Sequence, residues 1–202
     1  MSIRVLVICL AAVGCADVPD YDDPRQVPTE EDDYVSCENL LDNGSFDTTP
    51  LAWQLSSSDI VIDDRKLPAD HPFSASSGYY FAWFGGVLGA TRSASQLVTV
   101  PARNMLKLSG KYFVAAETRT RVEDTVKIEI VDGMNVIGVV SFTNLDSGSD
   151  SAPFTWINLQ KDIASQAFAG KTVGVKITSV NDSANNTNFL FDSLELKPAG
   201  CF

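Results

Sequence analysis

Thr125-Val126-Lys127-Ile128-Glu129-Ile130 is the stretch on which the fold class turns. Apolar and polar side chains alternate strictly there, with the period of two that an extended strand shows when one face is buried and the other meets water. Val126, Ile128 and Ile130 are therefore expected to face a core, and Lys127 and Glu129 to face solvent. Asp132-Gly133 follows and, by residue type, turns the chain into a hairpin toward Val136. Outward from this hairpin, residues 38–196 read as short apolar or alternating runs separated by Gly, Asn, Asp, Ser and Pro. No helical period persists for three turns. The pattern predicts strands over 59–62, 79–84, 94–100, 105–115, 125–131, 136–142, 154–159, 172–180 and 188–196, with one helical turn over 163–169. Strands of this number and length suit two packed antiparallel sheets, an all-β sandwich.

The chain has 202 residues and a formal net charge of −11, a length suited to one domain with a packed core. Its charge is unevenly spread. Residues 16–36 hold Asp17, Asp20, Asp22, Asp23, Glu30, Glu31, Asp32 and Asp33 against Arg25, with Pro19, Pro24 and Pro28 among them. Such a segment buries too little apolar surface to offset its ordering entropy. It reads as an extended, self-repelling tether, a solvated spacer in preference to a cation trap. With that segment and Arg4 set aside, the remainder carries about −5. An acidic domain with scattered Lys and Arg has no electrostatic footprint for nucleic acid, and no such partner is expected.

Met1-Ser2-Ile3-Arg4 supplies one positive charge, residues 5–11 are apolar, and Ala12-Val13-Gly14-Cys15 places small residues before a cysteine. The apolar run is too short to span a bilayer as a finished helix. The whole stretch resembles a bacterial lipoprotein signal. The resemblance implies removal of residues 1–14 and acylation of Cys15 as the new N-terminus. Residues 15–36 would then link a lipid anchor to a domain at 37–202, held at a Gram-negative membrane. Ala16 beside the cysteine implies sorting to the outer membrane. The alternative is an ordinary secretory leader cut after Ala16, which would give a secreted protein. Of the remaining cysteines, Cys9 lies in the leader, while Cys37 and Cys201 flank the domain. As an even pair in an oxidising compartment, these two are expected to form a disulfide.

Asn39-Leu40-Leu41-Asp42-Asn43-Gly44-Ser45-Phe46-Asp47, followed by Trp53, opens the domain. Ser77-Gly78-Tyr79-Tyr80-Phe81-Ala82-Trp83-Phe84-Gly85-Gly86 comes next, then Gln96-Leu97-Val98-Thr99-Val100-Pro101 and Leu106-Lys107-Leu108. Trp156, Ala169-Gly170-Lys171-Thr172-Val173 and Val175-Lys176-Ile177 precede a closing Phe189-Leu190-Phe191-Asp192-Ser193-Leu194-Glu195-Leu196. Taken in order, these segments resemble galactose-binding-like jelly-roll domains, the superfamily that includes several carbohydrate-binding modules, over residues 39–198. The resemblance implies a jelly-roll β-sandwich and a non-catalytic module binding carbohydrate or another surface ligand. A structural or adhesive cell-surface protein with no small-molecule site is the alternative. In that superfamily the acidic residue after the opening Asn-Gly-x-Phe and the Asp of the closing strand commonly hold a structural calcium with backbone carbonyls. Here those positions are Asp47 and Asp192. Asp47 is shorter than the usual Glu, and Ser193 stands where a second Asp is frequent.

Aromatic rings stack on the apolar faces of pyranoses while Asn, Asp and Gln bond the hydroxyls. Alternation over 79–84 sets Tyr79, Phe81 and Trp83 against Tyr80, Ala82 and Phe84, and one set must be core. Tyr79, Trp83 and Tyr112 are the rings singled out as candidate ligand contacts. No catalytic residue is expected. His71, in Ala69-Asp70-His71-Pro72, has no Ser or Cys partner in any recognised motif. Asp63-Asp64 and Glu123-Asp124 read as solvated turn residues in preference to a glycosidase pair.

Overall fold

In the computed structural model, which describes residues 37–48, 52–103, 105–148 and 154–201, the alternation of 125–130 becomes an amphipathic strand. Val126, Ile128 and Ile130 are buried between two sheets. The leader, Cys15 and the acidic tether lie outside the described residues. The strands among them are β1 (Gln54–Leu55), β2 (Val61–Asp63), β3 (Tyr80–Gly85), β4 (Thr91–Thr99) and β5 (Met105–Ala116), then β6 (Thr125–Asp132), β7 (Asn135–Thr143), β8 (Ile157–Ala164), β9 (Thr172–Val180) and β10 (Thr187–Pro198). They form two five-stranded antiparallel sheets, one in the order β1-β4-β9-β6-β7 and the other β2-β3-β10-β5-β8. This is a jelly-roll β-sandwich. The β6–β7 hairpin closes on Gly133-Met134, with Asp132 opposite Asn135 and Gly133 at φ 60°. A two-residue hairpin loop needs such a conformation, and glycine adopts it without steric cost.

β10 lies at the centre of its sheet, between β3 and β5. Phe189 and Phe191 point into the core beside Phe84, Leu106 and Leu108. Leu190 points the other way and is just as deeply buried. The register with β5 then shifts between Asp192 and Glu195, with Ser193 at φ 52°. This bulge moves the inward set from odd to even positions, so that Leu194 and Leu196 join the core. Gly110, across from the bulge, leaves room for it: a Cβ there would sit 2.8 Å from Leu194 Cδ2 and 3.1 Å from the Ser193 carbonyl.

The two ends of the domain meet on β10. Leu40 N–H donates to the Leu196 carbonyl (2.8 Å), and Asn39 both accepts from Leu196 N–H (2.8 Å) and donates to the Leu194 carbonyl (3.1 Å). The expected disulfide joins Cys37 to Cys201, with 5.3 Å between Cα atoms.

Two expectations need correction, and β1 was not expected. The strand placed over 154–159 runs instead over Ile157–Ala164. It is an edge strand in which only Leu159 and Ile163 are buried, and Lys161, opposite core-facing Leu108, interrupts its apolar side. A charge of that kind guards an edge against foreign pairing and also hides the strand from a pattern reading. Phe154 and Trp156 leave the strand for a role described below. The helical turn contracts to a 3-10 turn at Gln166–Phe168, and the two-residue β1 is too short to carry a period.

Candidate functional site

The outer face of the β2-β3-β10-β5-β8 sheet divides at the β10 bulge. Ahead of the bulge, Trp83, Leu190 and Phe113 form a row across β3, β10 and β5. Flanking segments lay further rings over this row. Phe73 packs against Trp83 (5.5 Å between centroids), Phe113 (6.0 Å) and Phe154 (5.5 Å), and Trp156 packs edge-on against Phe81 (6.3 Å). Trp156 Nε1 donates to the Ser74 carbonyl at 3.0 Å. Phe81 and Leu190, both directed outward, are 0% exposed. In this half the outer face is thus a second apolar layer, built largely from ring edges and faces. A cavity of about 280 Å³ remains beside Phe73, Phe113, Phe154 and Arg119.

The candidate rings separate in this setting. Trp83 belongs to the covered outer layer, and its Nε1 donates to Asn188 Oδ1 at 2.8 Å. Tyr79 precedes β3, is 54% exposed and carries the Arg65 guanidinium 4.4 Å above its ring. Tyr112 points to the opposite side of the sheet from Trp83 and stacks on Phe142 at 4.2 Å. Burial pushes its hydroxyl pKa up, and the Asp146 charge adds to the shift. No single surface therefore carries all three. His71 accepts from Phe73 N–H through Nδ1 (3.2 Å) and packs against the Phe73 and Trp83 rings.

Asp47 and Asp192 grip one segment between them. Asp47 Oδ1 accepts from the amides of Tyr79 (2.9 Å) and Tyr80 (3.1 Å). Asp192 Oδ2 accepts from Ser76 (2.6 Å) and Ser77 (3.1 Å), and its Oδ1 from the Ser193 amide (2.5 Å). Gly78 lies so close that a Cβ would come within 2.2 Å of Asp47 Oδ2. Asp192 is fully buried, and burial pushes its carboxyl pKa up against the opposing pull of these amides. Among the described residues, no group of three or more His, Cys, Asp or Glu gathers as a metal site. Any cation here would take much of its shell from backbone carbonyls and water.

The paired acids are engaged separately. The Arg65 guanidinium holds the Asp63 carboxyl well below the usual range, at about 2, while Asp64 accepts from the Ala75 amide. Glu123 pairs with Arg121. Asp124, expected to be solvated, is instead fully buried and accepts from the Asp182 amide (2.6 Å) and the Thr187 hydroxyl (2.5 Å). Beside it Asn144 donates to the carbonyls of Thr118 and Arg121, so these contacts organise a loop cluster.

Beyond the bulge the aromatic cover ends. A groove of about 570 Å³ opens there, lined by Ser109 and Lys111 of β5, Asn158 and Gln160 of β8, and Ser193 and Glu195 of β10, against the opening segment at Asn39 to Ser45. Leu41, Leu159 and Leu194 also border it, with their side chains in the core. Lys111 Nζ donates to Asn158 Oδ1 at 2.6 Å, and Glu195 accepts from Lys197 at 2.8 Å. These polar residues were not among the sequence candidates. Their one signal is spacing, since Ser109 and Lys111, like Asn158 and Gln160, stand two apart and so share a strand face.

No protein-family model matches this chain, and no curated protein matches it. Among solved structures it is similar to the carbohydrate-binding module TmCBM61 in complex with β-1,4-galactotriose, at 18% identity and a TM-score of 0.51 over 80% of this chain and 99% of that one. It is also similar to the CBM22-1 xylan-binding domain of Paenibacillus barcinonensis Xyn10C (18% identity, TM-score 0.48, 81% and 96% covered). A third is a Stig cyclase from Fischerella sp. TAU (12% identity, TM-score 0.48, 80% and 98% covered). The likeness is one of fold, the jelly-roll β-sandwich.

Proposed function

We propose that the protein is a non-catalytic carbohydrate-binding module displayed at the cell surface, its ligand seated on the outer face of the β2-β3-β10-β5-β8 sheet. The observation that carries this reading is the groove beyond the bulge, where three adjacent strands present hydroxyl, amide and charged groups in one concavity. Polyhydroxylated ligands need that combination, and its volume falls within the usual range of small-molecule sites. The likeness of fold to a module solved with a galactotriose is consistent with it. The acids and His71 that a hydrolase would use are bound up in separate local contacts, which favours binding over turnover.

In the same reading Cys15 carries the lipid, residues 16–36 space the domain from the outer membrane, and Asp47 with Asp192 holds calcium. The fit of a cation rests on Asp192, a buried carboxylate whose hydrogen bonds come from backbone amides and Ser193 with no basic side chain among them. Calcium would supply the missing positive charge. Thermal melting of the protein across a glycan panel, with calcium and with chelator, tests both parts. An upward shift with a glycan supports the module. No shift with any glycan would leave the structural or adhesive role, and indifference to both calcium and chelator would remove the metal. Cys15→Ala should move the protein from the membrane to the soluble fraction.

A further inference from the structure

We infer that the groove recognises an acidic saccharide, a sugar bearing a carboxylate that meets Lys111. The inference rests on the glycan-binding reading and names the ligand class for that site. Lys111 is the one basic side chain among the residues lining the groove. Its contact is with a neutral amide, Asn158 Oδ1 at 2.6 Å, and an ammonium has two further donors to give. The two carboxylates of neighbouring β10 in this region are committed elsewhere. Asp192, the cross-strand partner of Lys111, turns to the amides of Ser76, Ser77 and Ser193. Glu195 is matched by Lys197 at 2.8 Å, with the Ser109 hydroxyl 3.5 Å away.

Among the described residues Lys111 makes no ion pair, and the one carboxylate that shares the groove lining, Glu195, is paired with Lys197, inside a domain whose overall balance is negative. A concave site focuses the field of such a charge on whatever enters. Around it, Ser109, Asn158 and Gln160 offer both donors and acceptors to ring hydroxyls. A neutral sugar would use the hydroxyls and amides but would leave the ammonium with no counter-charge. A carboxylated sugar uses all of them. The domain's net negative charge slows the approach of a polyanion at low salt without cancelling the contact, so short acidic oligosaccharides are the appropriate probes.

The test is calorimetric titration of the full-length protein with oligogalacturonate and, in parallel, with neutral galactan and xylan oligosaccharides. Oligogalacturonate is expected to bind at least about tenfold more tightly than either neutral ligand, the scale of a charge-assisted hydrogen bond. Lys111→Met should lose that advantage and Lys111→Arg should keep most of it. Asn158→Asp should weaken the acidic ligand by giving Lys111 an internal carboxylate. Lys111 lies at the surface, so an unchanged melting temperature verifies that each variant is folded. Equal affinity for acidic and neutral ligands, or wild-type affinity in Lys111→Met, overturns this inference and leaves the module standing. Binding of no saccharide of either kind overturns both.

Discussion

The two outer faces of the sandwich are made of similar strands and end in different states. On the β1-β4-β9-β6-β7 sheet, Leu97 and Thr99 alternate with buried Gln96 and Val98 and stand bare, Leu97 at 74% exposure. On the other sheet, outward-facing Phe81 and Leu190 are sealed under a layer of rings. The first face obeys the rule that one side of an antiparallel sheet packs and the other is wet. The second breaks it over half its extent, then returns to it at the β10 bulge. The groove lies where the cover stops, so the bulge separates the part of the face that stabilises the fold from the part free to bind.

The strongest challenge to this contrast is Phe81→Ala. If the outer layer is a genuine second core, urea unfolding should show a loss of about 3–5 kcal/mol, as large as for Phe84→Ala on the inner side. A loss below about 1 kcal/mol would reduce the layer to a loose drape, since surface changes cost no more than that. Trp156→Phe, which removes the bond to Ser74 while retaining a ring, should cost about 1 kcal/mol in the same assay.

A finer effect appears as a slope with pH. Burial raises the Asp192 carboxyl above the 3.8 of an unfolded chain. Between those two values the folded state holds more protons, so Asp192 makes stability fall as pH rises. Melting in chelator should show that decline, Asp192→Asn should flatten it, and calcium should suppress it. Asp63 acts in the opposite sense. Its carboxyl lies at about 2 when folded, so its contribution is present above 3.8 and is lost as pH falls toward 2. The smallest change is expected from Leu97→Ala on the bare face, within about 0.5 kcal/mol of wild type. A larger loss there would mean that this face too is covered.

Where one sheet face is wet, the sequence was easy to read. The β6–β7 hairpin, β9 with Val173, Val175 and Ile177 inward, and the pairing of Cys37 with Cys201 all follow from local residue pattern and cysteine count. Where both faces are dry, period-two reasoning loses its contrast. Phe189, Leu190 and Phe191 are consecutive and all buried, so nothing local marks which way each points. Tyr112 and Trp83 look alike as exposed-ring candidates, yet the register of β10 sets one opposite Phe191 in the core and the other beside Leu190 outside. The groove was hidden for a related reason. Asn158 and Gln160 resemble any solvent-facing pair until the β5–β8 register brings them beside Lys111 and Ser109. Such non-local pairing is invisible to a reading that moves along the chain.

The bond between Cys37 and Cys201 also decides how the domain would bear a pull. The two cysteines are 164 positions apart in the chain, yet their Cα atoms are 5.3 Å apart in space. Tension arriving along the chain at Cys37 and leaving beyond Cys201 would cross the sulfur bridge and bypass every strand between them. The sandwich would ride beside the line of force as a closed ring, and only reduction of that bridge would let the jelly roll be drawn out strand by strand.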